Sequence, residues 1–163
     1  MELRQENSQD WWDVEALYDL SFAPGRTALS SYRLRDGIDP VPELSLVASD
    51  ETGIIGGAIR YWPICVSGHK ALLLGPIAVH PTRQGEGVGG ALMRDSLARA
   101  EGLGWARVLL VGDLPYYGKF GFKPLQGVIM PPPTNPSRVL GFGDWDGVRG
   151  DVTSLKKTGS DTI

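Results

Sequence analysis

Between positions 83 and 92 the chain reads RQGEGVGGAL, and its glycines spell two overlapping patterns. Gly85, Gly87 and Gly90 give G-x-G-x-x-G, the spacing of a dinucleotide-binding turn. Gln84, Gly87 and Gly89 give Q-x-x-G-x-G, which suits another pyrophosphate-bearing ligand. Both patterns point to an anion. Glycines are an entropic liability unless backbone must approach something closely, and bare N–H groups at a helix start attract phosphate. A turn that merely opens a helix needs a glycine or two, whereas here Gly85, Gly87, Gly89 and Gly90 crowd together beside Arg83 and Gln84.

Context separates the two patterns. A dinucleotide turn follows its strand directly, but His80, Pro81, Thr82, Arg83 and Gln84 stand between Val79 and Gly85. Asp113 lies about where a ribose-binding acid would, yet hairpin-like segments precede the glycines, so a dinucleotide oxidoreductase fits the order of elements poorly. Upstream, Gly75 and Pro76 interrupt the apolar run ALLLGPIAV, 71–79. Proline cannot donate to a strand ladder and glycine invites a bulge. The interruption predicts a strand splayed from its parallel neighbour LLVGD, which leaves N–H and C=O groups of Ile77, Ala78 and Val79 open to an extended amide-bearing chain. A pyrophosphate joined to a peptide-like arm describes coenzyme A.

The segments GPIAVHPTRQGEGVGGALMRDSL and VLLVGDLPYYGKFGFKP closely resemble the GCN5-related N-acetyltransferase superfamily, over about residues 72–124. Within it they look most like a bacterial subgroup of predicted N-acetyltransferases with LGPLAVHP-like central strands. The resemblance implies a single-domain α/β fold with a mixed, mostly antiparallel sheet whose parallel central strands splay and are flanked by helices. It implies acetyl-CoA as cosubstrate and direct acetyl transfer to a primary amine of a small molecule or peptide. Gln84, Gly85, Gly87, Gly89 and Gly90, with the main chain of Glu86 and Val88, would cradle the pyrophosphate. Arg83 would touch a phosphate or be a solvated surface residue, and Ile77, Ala78 and Val79 would hold the pantetheine arm.

Tyr117 occupies the Tyr-x-x-x-Gly-Phe position and would hand a proton to the departing thiolate. A thiol of pKa about 8.5 leaves as thiolate, and a phenol near 10 can share its proton. The alternative is a buried tyrosine with a satisfied hydroxyl. Tyr116, Phe120 and Phe122 read as packing.

A lysine-like amine of pKa about 10.4 is neutral in only about one molecule in 2,500 at pH 7, so its deprotonation needs help. Many family members carry a glutamate on the central strand for this, whereas ALLLGPIAV is uncharged. His80 has a suitable intrinsic pKa but is equally placed to cap its turn, and Asp113 could take the proton through water. A water wire between carbonyls is the remaining option. The missing glutamate also admits an acyl-CoA-binding module without turnover.

The elements that must position these groups follow from periodicity. DWWDVEALYDLSF, 10–22, predicts an amphipathic helix with Asp10 as N-cap and Trp11, Val14, Leu17 and Tyr18 inward, broken by Pro24 and Gly25. A second short helix fits 26–37, ended by Gly37. LSLVAS and IIGGAIRYWPICV form a hairpin across a turn supplied by Asp50 and Gly53. ALLLGPIAV predicts a central strand covered on both faces. VGGALMRDSLARAEGLG is a helix and WARVLLV a strand parallel to the one before it. PYYGKFGFKPL fits a short helix and a further strand, and the prolines of MPPPTNPSR exclude regular structure. Phe22, Tyr32, Tyr61 and Trp62 are candidates to wall the acceptor pocket or to belong to the core.

At 163 residues the chain suits one domain, 1–152, with a polar tail over 153–163. A net charge of -3 gives no general pull toward nucleic acid or an anionic membrane. Cys65 alone excludes an internal disulfide or a multi-thiolate metal site, and His69 and His80 lack ligand-spaced partners, so no metal is expected. No apolar run reaches the roughly 20 residues of a membrane span, and MELRQENSQDWW has no secretory pattern. A cytoplasmic protein is expected. Strand edges in the proline-rich C-terminal region leave room for a homodimer.

Overall fold

The computed structural model of the chain describes residues 1–22, 32 and 34–155. They form a mixed α/β fold divided into two compact units, each built from three separate segments. The break expected at Pro24 and Gly25, and most of the helix expected over 26–37, lie outside the described residues.

The first unit comprises Met1–Arg26, Val41–Tyr61 and Gly75–Leu103. Strand β1 (Glu2–Gln5) pairs antiparallel with β2 (Leu46–Ser49), from Glu2↔Ser49 to Gln5↔Leu46. Strand β3 (Ile55–Val66) returns antiparallel on β2, with Leu46 opposite Ile59 and a bulge at Ala48/Ser49. The turn between them is held by Asp50, whose Oδ1 accepts from Thr52 N–H, Thr52 Oγ1–H and Ile54 N–H, while Gly53 takes a φ of 88°. That turn chemistry is the one the sequence predicts.

Helix α1 (Trp11–Ser21) buries Val14, Leu17 and Tyr18 against Val47, Ala58 and Ala78. Asp10 is not its side-chain cap. The Asp10 carboxylate accepts from Asn7 N–H at 2.8 Å and from both terminal nitrogens of Arg4 at 2.8 and 2.9 Å, which closes a capping box on the preceding 3-10 turn. Trp11 is 43% exposed rather than inward, and its ring lies 4.5 Å from the Arg60 guanidinium. Arg60 itself, on β3, is 2% exposed and donates to Glu6 at 2.7 and 3.0 Å and to Glu15 at 2.6 Å. A charge this deep is tolerable only when paired in this way. Helix α2 (Val88–Gly102) buries Val88, Leu92, Met93, Leu97 and Ala100, and Ser96 bonds the Tyr61 hydroxyl at 2.7 Å.

The second unit comprises Thr27–Pro40, Trp62–Leu74 and Gly104–Ile163. Its core gathers Trp62, Ile64 and Val66 of β3, Ala71 and Leu73 of β4 (His69–Val79), and Leu109 of β5 (Arg107–Val111). The parallel pairing expected from strand–helix–strand order is present as Leu72↔Val108 and Leu73↔Leu109. On its other side β5 pairs antiparallel with β8 (Val139–Gly143), register by register as far as Val111↔Val139. Strand β6 (Lys123–Pro124) lies against β8, and β7 (Val128–Ile129) runs parallel to β9 (Gly150–Ser154). Strand β9 also pairs with β3, placing Thr153 opposite Cys65 and Ser154 opposite Ile64. The tail boundary expected at 152/153 therefore moves to beyond Ser154. A polar residue is as good a ladder partner as an apolar one when its side chain faces out.

Candidate active site

The anion loop lies in the first unit. Between β4 and α2 a 3-10 turn spans Pro81–Arg83, after which Gly85 and Gly87 adopt φ of 84° and 79°. These left-handed values, and not crowding, call for glycine, because nothing lies within 4 Å of where either Cβ would stand. Gly87 is the N-cap of α2 and the first intrahelical bond runs from Ala91 N–H to Gly87 O. The amides of Val88, Gly89 and Gly90 thus have no intrahelical acceptor, in a helix start free of acidic residues. The helix end is fixed on β3, where a Cβ at Gly57 would stand 2.8 Å from Val88 Cγ1 and 3.1 Å from Leu92 Cδ1.

Around the loop the side chains are committed. The Gln84 amide donates to Val79 O at 3.0 Å, so one of the carbonyl groups expected to be open already carries a bond. Of that stretch of β4, Ala78 is buried against α1 while Ile77 and Val79 are half-buried. Pro76 O accepts from the Tyr18 hydroxyl at 3.2 Å. Arg83 pairs with Asp50 at 2.9 Å and more loosely with Glu86 at 3.7 Å. His80 caps the 3-10 turn, its Nδ1 taking the Thr82 N–H at 3.1 Å and lying 2.8 Å from Thr82 Oγ1. A backbone N–H only donates, so Nδ1 holds the lone pair and the neutral ring carries its hydrogen on Nε2. His80 thus caps its turn, one of the two roles open to it.

Tyr117 and Asp113 lie in the second unit, at the two ends of one turn. Asp113 is the N-cap residue of α3 (Leu114–Tyr117), and its carbonyl accepts from Tyr117 N–H at 2.9 Å. Its exposed carboxylate makes no capping bond. The Tyr117 ring is held edge-on by Tyr116 at 4.9 Å and Phe122 at 6.2 Å between centroids, so both act as the packing residues expected. Among the described residues the Tyr117 hydroxyl has no hydrogen-bond partner. Burial, reinforced by Tyr116 and Asp113 and opposed by Arg138, pushes this phenol above its ordinary pKa of 10.0.

Two of the four aromatic residues expected to wall an acceptor pocket or join the core are core. Tyr61 is fully buried on Ser96, and Trp62 is 7% exposed within the second unit's core. Phe22 packs beside Tyr18, and Tyr32 stacks at 3.6 Å on the Arg35 guanidinium. Tyr61 and Trp62 are successive in β3 and so point to opposite faces of the strand, and both are buried. Sequence reasoning gave Asp50 a turn but no part in the site, and it passed over Gly112; the importance of both depends on residues placed beside them only by folding.

Residues 42–124 match the family model of the acetyltransferase (GNAT) domain. An uncharacterized N-acetyltransferase of Escherichia coli K12, YhbS, is 31% identical over 125 residues, which are 76% of this chain and 74% of YhbS. The crystal structure of the Escherichia coli GNAT-family N-acetyltransferase YhbS in complex with CoA superposes with a TM-score of 0.80 at 27% identity, covering 97% of this chain and 91% of the other. A GNAT-family acetyltransferase from Brucella melitensis, crystallised with acetyl-CoA, superposes with a TM-score of 0.72 at 29% identity, covering 96% and 97%.

Proposed function

The chain belongs to the GNAT family of acetyltransferases, and from that premise we propose that it transfers an acetyl group from acetyl-CoA directly to a primary amine of a small molecule or peptide. Its relatives' complexes with CoA and acetyl-CoA support the donor, and so does a loop in which Gly85 and Gly87 have open surroundings ahead of helix amides that lack an intrahelical acceptor. The acetyl thioester supplies the activated acyl group. Gly85, Gly87, Gly89 and Gly90, with the main chain of Gln84, Glu86 and Val88, receive the pyrophosphate, and the backbone of Ile77, Ala78 and Val79 receives the pantetheine arm.

The observation that carries catalysis is the unpartnered Tyr117 hydroxyl. The ring is half-buried between Tyr116 and Phe122, and its hydroxyl, committed to no protein group among the described residues, is left to give its proton to a leaving thiolate. Asp113, exposed at the start of the same turn, accepts the proton of the amine through water.

Tyr117→Phe tests the reading directly. Turnover with a reactive amine should fall about ten- to a thousandfold, the range of a lost general acid, with the CoA dissociation constant unchanged. Equal turnover would remove Tyr117 from the chemistry. CoA binding without thiol release over peptide N-termini, lysines, polyamines and aminoglycosides would instead favour an acyl-CoA-binding module.

A further inference from the structure

The residues leading from β4 into the glycine loop are fastened to the β2–β3 hairpin. His80 N–H donates to Gly56 O at 2.8 Å. Arg83 makes the next link. Its stem lies on β3 so closely that a Cβ at Gly56 would stand 3.0 Å from Arg83 Cγ, and its Nη2 donates to Asp50 Oδ2 at 2.9 Å. Asp50 is in turn fixed through its other oxygen by Thr52 and Ile54. Those bonds, the Thr52 hydroxyl's first, hold its carboxyl below the usual carboxylate range, so it is charged at neutral pH. Beyond Arg83 the loop is held only locally, by Gln84 on Val79 O at 3.0 Å and by Glu86 N–H on Arg83 O at 3.4 Å. Gly85 and Gly87 have positive φ and open surroundings, and glycines are the residues that lose most freedom when a ligand orders them.

We propose that Asp50 is a positioning residue for the anion loop, tying the loop's entry to the β2–β3 turn through Arg83 and thereby raising its affinity for a pyrophosphate. The identity of that ligand as coenzyme A rests on the function proposed above; the tie itself does not. Arg83 is thereby assigned to Asp50 and not to a phosphate. The two assignments predict opposite signs for one substitution. Removing the Asp50 charge from a tie loosens the loop and weakens CoA, whereas removing it from a competitor frees Arg83 and tightens CoA.

Asp50→Asn is the informative variant because its amide oxygen still accepts from the turn's N–H groups. Titration calorimetry with CoA and amide hydrogen exchange without ligand would be measured on the full chain. In Asp50→Asn we expect CoA to bind about two- to fivefold more weakly, the effect of losing one partly exposed ion pair, and the amides of residues 85–91 to exchange faster. Asp50→Glu should recover both in part, and Asp50→Asn with Arg83→Gln should be no worse than Asp50→Asn alone. Tighter or unchanged CoA binding in Asp50→Asn overturns the proposal, even with faster exchange, and so does unchanged exchange. A wild-type chain that binds no CoA at all would refute the ligand's identity, and the exchange measurement would still decide the tie.

Discussion

Gly112 lies beside the Tyr117 ring, so that a Cβ there would stand 2.5 Å from Tyr117 Cε2 and 2.9 Å from Cδ2. Gly112 N–H donates to Arg138 O at 2.9 Å, so the backbone there is not free to retreat. Gly112→Ala should therefore move the ring instead, and displacing the proposed proton donor by about 1 Å would cost up to about a hundredfold. The expected signature is a lower kcat with a nearly unchanged KM for acetyl-CoA, and unaltered kcat would show that the ring has room to adjust. The raised pKa of Tyr117 sets a second expectation. Its hydroxyl stays protonated up to and beyond about pH 10, so Tyr117 should contribute no alkaline limb to the kcat profile below that pH, and Tyr117→Phe should not alter the profile's shape there.

Among the elements, α2 depends on the small residue beneath it. Gly57→Val would drive a branched side chain into Val88 and Leu92, where even a single Cβ meets Val88 Cγ1 at 2.8 Å. Overpacking of this kind costs about 1–3 kcal/mol, measurable as a lower urea midpoint, and because Val88 opens α2 the variant should also bind CoA more weakly. A midpoint equal to wild type would mean that α2 slides to accommodate the change. Local signals made much of this scaffold legible. Asp50 and Gly53 announced their turn, ALLLGPIAV announced a strand buried on both sides, and the glycine loop with Tyr117 announced the family. Strand β1 was not legible, because ELRQ is polar and becomes a strand only by pairing with β2, which lies 40 or more residues along the chain. The same holds for β7, β8 and β9, short strands around a proline-rich stretch whose partners are distant. Within the site, the residue types were legible and their engagements were not. That Gln84 turns to Val79 O, Arg83 to Asp50 and His80 to Thr82 is decided by which acceptors folding brings within reach.

For the whole molecule, burial and pairing set the pH range of stability. Tyr61 and Tyr117 are raised by burial, so their contributions are complete below about pH 10 and are lost as the pH climbs through their folded values. Asp10, through its bonds from Arg4, and Asp50, through those from Thr52, are lowered. Their contributions are present above about pH 4 and vanish as the pH falls through their folded values. The urea midpoint should therefore be flat between those limits and fall on both sides, and Asp10→Asn should shallow the acid limb. An acid limb identical in Asp10→Asn would assign it to other carboxylates.

The order in which the two units' segments occur along the chain has a consequence during synthesis. Every residue of the first unit precedes position 104, whereas the second unit still lacks Gly104–Ile163 at that point. A ribosome that has released the first 103 residues has thus made the whole glycine loop and its supports. It has also made Trp62, Ile64, Val66, Ala71 and Leu73, whose core partners Leu109, Val139 and Val152 do not yet exist. Exposed strands of this kind are where nascent chains aggregate. The vulnerable period is the synthesis of residues 104–163, and a gene truncated after codon 103 should yield a chain that is recovered mainly in the insoluble fraction.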